Sequence, residues 1–232
     1  MNLQENLSHL ENQIANACER SGRKREEVTL IAVTKTRSVE VIQEVYDLGI
    51  RDFGENRVQE LLKKKDFFEN QYSPNTIHEA IRWHLVGHLQ SNKAKYIADF
   101  IHCVHSIDSL DTAKELSKRA AQNSRTIDVL LEINVAAEVT KEGIATSEAP
   151  ELLRHIFAEA TSLNVKGLMT VAPFEEDPER VRPYFRELGK LRDELGLKDL
   201  SMGMSNDFEV AIEEGATMIR IGNELFGERT KN

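Results

Sequence analysis

The sequence predicts an α/β chain folded as a single (β/α)8 TIM barrel with an extra N-terminal helix. Three observations carry that reading. From Val28 onward, short apolar runs alternate with segments of helical periodicity almost to the end. Eight strand-then-helix units can be counted, as a closed parallel barrel requires. The strands are short and the chain has 232 residues, near the usual size of that fold, so residues 1–232 read as one domain.

The elements follow in order. Leu3, Leu7, Leu10, Ile14 and Ala17 step by three and four, giving one apolar stripe on an opening helix that ends at Ser21-Gly22. Strand one is near 29–34 and its helix near 39–48, closed by Gly49. Strand two spans about 50–54, with a helix over 56–68 and a loop holding Pro74 and Asn75. Strands three and four are near 82–86 and 101–105, with helices near 91–98 and 109–123. Strand five, 127–134, reads as the longest and leads to a helix over 147–160. Strand six, about 165–169, precedes a helix over 178–195. Strand seven, 199–201, a helix over 206–214 and strand eight, 217–221, complete the set.

Composition narrows the function. Acidic residues outnumber basic ones by 39 to 30, for a net charge of -9, which argues against non-specific nucleic-acid binding. A small anion held in a local pocket remains compatible with it. The two cysteines, Cys18 and Cys103, have no metal-like or disulfide spacing, so a reducing compartment is expected. The polar, acidic start is unlike a targeting peptide, and no apolar run reaches membrane-spanning length. A cytoplasmic protein with no nucleic-acid or membrane partner is therefore expected.

Lys35 ends the apolar run Leu30-Ile31-Ala32-Val33-Thr34, at the junction of strand one and its helix. In such a barrel that junction lies on the mouth where chemistry is done. Partial desolvation there favours the neutral amine, which can attack a carbonyl. The plainer alternative is a lysine that ends a strand and points into water.

The anion signal comes from the last two units. Leu200-Ser201-Met202-Gly203-Met204-Ser205 runs from a strand into a glycine-bearing turn, and Asn206-Asp207 follow at a helix start. Unpaired N–H groups at a helix N-terminus favour an anion, although Ser205 could also serve as an N-cap. Strand eight ends at Gly222, where backbone can approach a ligand closely. Arg220 alternates with Ile219 and Ile221, so it projects to the opposite face, into the barrel, where it needs a partner.

Histidines invite a metal reading, which the spacing does not favour. His84 and His88 lie on a strand and its following turn rather than on one helical face. Strand alternation sends His102 and His105 to opposite faces. His84 instead stands as a candidate contact to a cofactor at the mouth, against a satisfied structural histidine. Glu55 reads as a residue that orients backbone or amines, and Lys63-Lys64-Lys65 as a solvated helix end. Lys141, in the loop after strand five, lies on the same mouth as Lys35.

Several motifs together resemble the YggS/PROSC family of pyridoxal 5′-phosphate (PLP) homeostasis proteins. They are Ala32-Val33-Thr34-Lys35, the run from Phe53 through Asn56 to Glu60, Trp83 to Lys93, Gly167 to Thr170, Leu200 to Ser205 and Ile219 to Gly222. Phe226-Gly227 and Glu228-Arg229 follow, so the match spans nearly the whole chain. The resemblance implies a barrel like the N-terminal domain of alanine racemase and PLP as cofactor. Lys35 would be its Schiff-base lysine, Asn56 would lie beside the ring, and Arg220 would face the pyridine nitrogen. Ser205 and the backbone around Gly222 would bind the phosphate; Met204 and His84 complete the expected cofactor-binding set.

Three functions follow for comparison: a non-catalytic PLP carrier, a PLP-dependent amino-acid racemase, and an aldolase using Lys35 on a phosphorylated substrate. The carrier is the reading adopted. An arginine donating to the pyridine nitrogen leaves that nitrogen unprotonated and weakens PLP as an electron sink. Recipients would be PLP-dependent apoenzymes, and the protein is expected to be a monomer.

Overall fold

The computed structural model describes residues 2–71, 81–138 and 141–227. Strand β1 (Thr29–Val33) follows helix α1 (Leu3–Arg20) and leads into α2 (Val39–Asp47). Next come β2 (Asp52–Glu55), α3 (Val58–Gln71), β3 (Arg82–Leu85) and β4 (Cys103–Ile107). After these stand α4 (Leu110–Gln122), β5 (Ile127–Glu132), α5 (Ala149–Glu159) and β6 (Leu163–Met169). The last are α6 (Arg182–Glu194), β7 (Asp199–Ser201), α7 (Phe208–Glu213), β8 (Met218–Ile221) and α8 (Asn223–Phe226). The strands close in sequence order, all parallel, with β8 hydrogen-bonded back to β1.

Strand alternation sorts the core into two zones. Outward residues such as Leu30, Ala32, Ile219 and Ile221 join one large apolar shell beneath the helices. A much smaller zone, Cys103, Leu130 and Met169 with Val171 and Met218, forms a second apolar cluster. Polar His84, His105, Ser201 and Arg220 are buried as well, so the barrel interior is unusually hydrophilic. The stripe on α1 is buried at Leu3, Leu10, Ile14 and Ala17, and the helix packs on α7 and α8. Asn2 caps it by accepting from the Glu5 N–H at 3.2 Å.

Several boundaries differ from the expectation. The segment near 91–98 is a 3-10 helix, Ser91–Tyr96, with N–H groups bonded three residues back, as in Lys93 to Gln90. The helix expected over 178–195 is divided into a 3-10 turn, Pro178–Val181, and α6, because Pro183 suits only a first turn. β6 has 7 residues and β5 has 6, so β5 is not the longest strand. β4 starts at Cys103, leaving His102 outside the strand pleat. The loop holding Pro74 and Asn75, together with Glu228 and Arg229, lies outside the described residues. Among the described residues, no helix is long and apolar enough to cross a membrane.

Candidate functional site

Lys35 follows β1 by two residues and is half-buried at the barrel mouth. The backbone on both sides of it is held by charged side chains. Thr34 N–H donates to the Gly54 carbonyl at 3.0 Å, and its hydroxyl donates to the Glu55 carboxylate. Lys64 donates to the Thr34 carbonyl at 2.7 Å, to Glu55 at 2.5 Å and to Glu60 at 2.7 Å. Glu60 in turn accepts from the Thr36 N–H at 2.5 Å. Thr36 has φ of +65°, a left-handed conformation that β-branched residues rarely adopt, so this junction is strained and clamped.

The reading of Lys63-Lys64-Lys65 as solvated is corrected at its centre. Lys64 is 4% exposed, on the face of α3 that also buries Leu61 and Phe68. Helical spacing places 61, 64 and 68 inward, whereas Lys63 stays exposed. Glu55 does orient an amine, that of Lys64. Burial pushes the Glu55 carboxyl above its ordinary value, with the Lys64 hydrogen bond opposing.

Lys35 opens onto a cavity of about 350 Å³ shared with Asn56, Met204, Ser205, Arg220 and Gly222. Six of the seven residues expected to hold the cofactor therefore meet in one place. Gly203 makes the turn before Ser205 at φ of +90°, and a Cβ there would stand 2.6 Å from that of Ala211. Ser205 is not the cap of α7. Asp207 occupies that position, and its carboxylate accepts from the Met204 N–H at 2.6 Å. The Ser205 hydroxyl instead accepts from the Glu224 N–H at 3.3 Å, joining the β7–α7 and β8–α8 turns. A Cβ on Gly222 would meet only the Val33 carbonyl, at 3.7 Å, so a side chain there would occupy open cavity. Asn56 Oδ1 is buried without a hydrogen-bond partner. Its backbone is pressed by Gly87, where a Cβ would stand 2.5 Å from the Asn56 carbonyl. Phe174, 80% exposed, lines the same cavity.

Arg220 is buried, as strand alternation requires, but its hydrogen bonds go to neutral oxygens rather than to a carboxylate. It donates to Ser201 Oγ and to the Thr170 carbonyl, each at 2.7 Å. Burial lowers its guanidinium to about 10 against the pull of Asp207 and Glu132, so it stays protonated at neutral pH.

His84 is the exception among the expected site residues. It is 2% exposed and is not among the residues lining the Lys35 cavity. Its Nε2 lies 3.0 Å from Asp52 and its Nδ1 lies 2.9 Å from His105 Nε2. Asp52 is the first residue of β2, so this contact reaches toward the floor of the barrel, away from the mouth. The expectation that His102 and His105 part company also fails. Because His102 precedes β4, both rings pack edge-on against His84, at 5.2 and 5.1 Å between centroids. Asp52, His84 and His102, and likewise His84, Cys103 and His105, cluster as metal ligands do. Both ring nitrogens of His84 and of His105 already have hydrogen-bonding partners.

Lys141 is exposed and lines an adjoining cavity of about 300 Å³ with Glu132, Asn134 and Glu142. Val171 lines both cavities. Glu132 was not legible as a site residue. It is 6% exposed, its Oε2 lacks a partner, and burial with Glu142 and Asp108 nearby pushes its carboxyl up to about 7.

Comparison with known proteins places the chain in a family. The profile of the alanine racemase N-terminal domain matches residues 6–230. A pyridoxal phosphate homeostasis protein of Aquifex aeolicus is 46% identical over 235 residues, covering 99% of both chains. That of Escherichia coli K12 is 37% identical, covering 97% of this chain and 95% of its own. PipY of Synechococcus elongatus PCC7942, solved with PLP bound, superposes with a TM-score of 0.81 at 31% identity, covering 97% of this chain and 100% of its own. Alanine racemase of Clostridium difficile 630 shares the fold, with a TM-score of 0.70 at 17% identity, over 58% of its length. The chain belongs to the family of pyridoxal phosphate homeostasis proteins, built on the barrel of the alanine racemase N-terminal domain.

Proposed function

We propose that this chain binds PLP at the barrel mouth and holds, buffers and delivers it to PLP-dependent apoenzymes, as a single-domain cytoplasmic monomer without substantial amino-acid turnover. The observation that carries the reading is the convergence of Lys35, Asn56, Ser205, Arg220 and Gly222 on one cavity. The residues fit the group. Asn56 has an unsatisfied buried amide oxygen, and Gly222 leaves space where any side chain would intrude. When bound, the cofactor supplies an aldehyde that forms a Schiff base with an amine. Lys35 would provide the amine, Ser205 and the backbone at Gly222 would receive the phosphate, and Arg220 would donate toward the ring nitrogen.

The protein's own groups favour holding over turnover. Racemisation needs acid–base groups on both faces of the reacting carbon, and Lys35 serves one. Among the described residues, no tyrosine lines the cavity, since Tyr46, Tyr96 and Tyr184 lie elsewhere in the chain. Borohydride reduction and peptide mapping should place a pyridoxyl group on Lys35. An adduct on another lysine, or none, would overturn the assignment. A panel of D- and L-amino acids followed by chiral chromatography should show no conversion. Turnover at about 1 s⁻¹ or faster, abolished by Lys35→Ala, would make the protein a racemase instead.

A further inference from the structure

The buried polar interior has a direction. Arg220 can only donate, so Ser201 Oγ accepts from it at 2.7 Å. The Ser201 hydroxyl keeps its own hydrogen to give, and His105 Nδ1 lies 2.9 Å away. Burial holds the His105 imidazole well below its ordinary value, with the nearby His84, Arg220 and His102 adding to the effect. His105 is therefore neutral, with one ring hydrogen. Because the Asp52 carboxylate can only accept from His84 Nε2, that hydrogen is placed on His105 Nε2, facing His84 Nδ1 at 2.9 Å. Having accepted there, His84 carries its hydrogen on Nε2 and donates to Asp52 at 3.0 Å. Arg82 clamps Asp52 from outside with two further bonds, at 2.7 and 2.5 Å.

We propose that Asp52, His84, His105 and Ser201 are positioning residues that fix the Arg220 guanidinium and convey the negative charge of Asp52 to it across the barrel. The inference rests on the proposed placement of PLP against Arg220. Every donor in the chain points from Arg220 to Asp52, so successive bonds polarise one another. Asp52 is anionic at working pH: burial pushes its carboxyl up, but the bonds from Arg82 and His84 outweigh it and bring it to about 2. Arg220 has no carboxylate among its hydrogen-bond partners, so the chain gives its charge a structured path to one. The groups facing this path are Arg82 and His102 at the Asp52 end, Cys103 beside the two histidines, and Asp207 and Glu132 near Arg220. The histidine that pattern reading sets beside the cofactor would thus act on the ring nitrogen from a distance, through three intermediaries.

The test uses the PLP-loaded protein and three variants. Asp52→Asn keeps the size of the side chain and removes its charge, while His84→Phe cuts the chain and His84→Gln offers partial repair. The near-visible absorption band of bound PLP would be titrated from about pH 6 to about pH 9, alongside PLP dissociation and thermal midpoint. Asp52→Asn and His84→Phe should move the titration midpoint of the band and weaken PLP retention by about threefold or more, with His84→Gln between them and wild type. Lowered thermal midpoints with unmoved band and retention would make the chain merely structural and overturn the inference. Should the variants fail to fold, histidine ¹⁵N NMR of the wild-type protein decides. Both His84 and His105 should carry hydrogen on Nε2, and the His105 signal should shift on PLP addition. The opposite tautomers, or no shift, would also overturn it. Failure of the wild-type protein to take up PLP would instead refute the site itself, which distinguishes the two claims.

Discussion

The Lys64 ammonium lies 2.7 Å from the carbonyl oxygen of Thr34, the residue immediately before Lys35. One buried cation thus ties the backbone of the proposed reactive lysine to Glu55 on β2 and Glu60 on α3. The strained left-handed turn at Thr36 is kept by the same cluster, through Glu60. A lysine that must meet an aldehyde gains from such a fixed platform, because its approach is set before the ligand arrives.

Removing that cation leaves two carboxylates facing each other with Glu55 wholly buried. Lys64→Met is expected to destabilise the fold by about 3–5 kcal/mol, as breaking buried pairs does. Urea denaturation at neutral pH measures it. A loss below about 1 kcal/mol would show that the pair is as dispensable as a surface one.

The proposed phosphate end can be weakened without disturbing the core. Ser205→Ala removes one hydroxyl from the cavity, and Gly222→Leu fills the space beside Val33. A charge-assisted hydrogen bond is worth about 1.5–3 kcal/mol, so PLP affinity should fall by about tenfold or more. Equilibrium dialysis of the two variants, with circular dichroism as a fold control, checks this. Unchanged affinity in both would place the phosphate elsewhere.

Glu132 imposes a pH dependence with a definite sign. Its carboxyl is raised from 4.5 to about 7 by burial, so the fold favours the protonated form. That contribution is fully present below about pH 4.5 and is lost as pH rises through 7, in all on the order of 3 kcal/mol. Glu132→Gln should therefore flatten stability between about pH 5 and about pH 8 and exceed wild type at the upper end. Urea midpoints at the two pH values read it out, and parallel wild-type and variant curves would contradict it.

Lys141 lines the cavity next to that of Lys35, and the role proposed for this second amine is to accept PLP from the first or to hold a second molecule. Lys141→Ala is expected to slow PLP release to an apoenzyme acceptor while leaving uptake on Lys35 intact. Stopped-flow absorbance follows both steps. Wild-type release rates would remove Lys141 from any transfer role.

What the sequence alone determined is the barrel and most of its mouth. Short continuous apolar runs alternating with period-3.6 segments specify strand–helix units, and eight such units leave closure as the way to pair every edge. Lys35, Ser205, Arg220 and Gly222 stand out in the sequence because each sits at a strand end or just beyond it, where the fold gathers loops, whereas only the family resemblance singles out Asn56. Tertiary structure decided what crosses the interior. Lys64 reads as one of three solvated lysines until α3 turns it toward Glu55, and His84 reads as a mouth residue until Asp52 and His105 claim both its nitrogens. These partners stand 9, 32 and 21 residues away along the chain. Local periodicity reports which face a side chain takes, but the depth it occupies and the partner it meets depend on how strands from distant segments are staggered around the barrel.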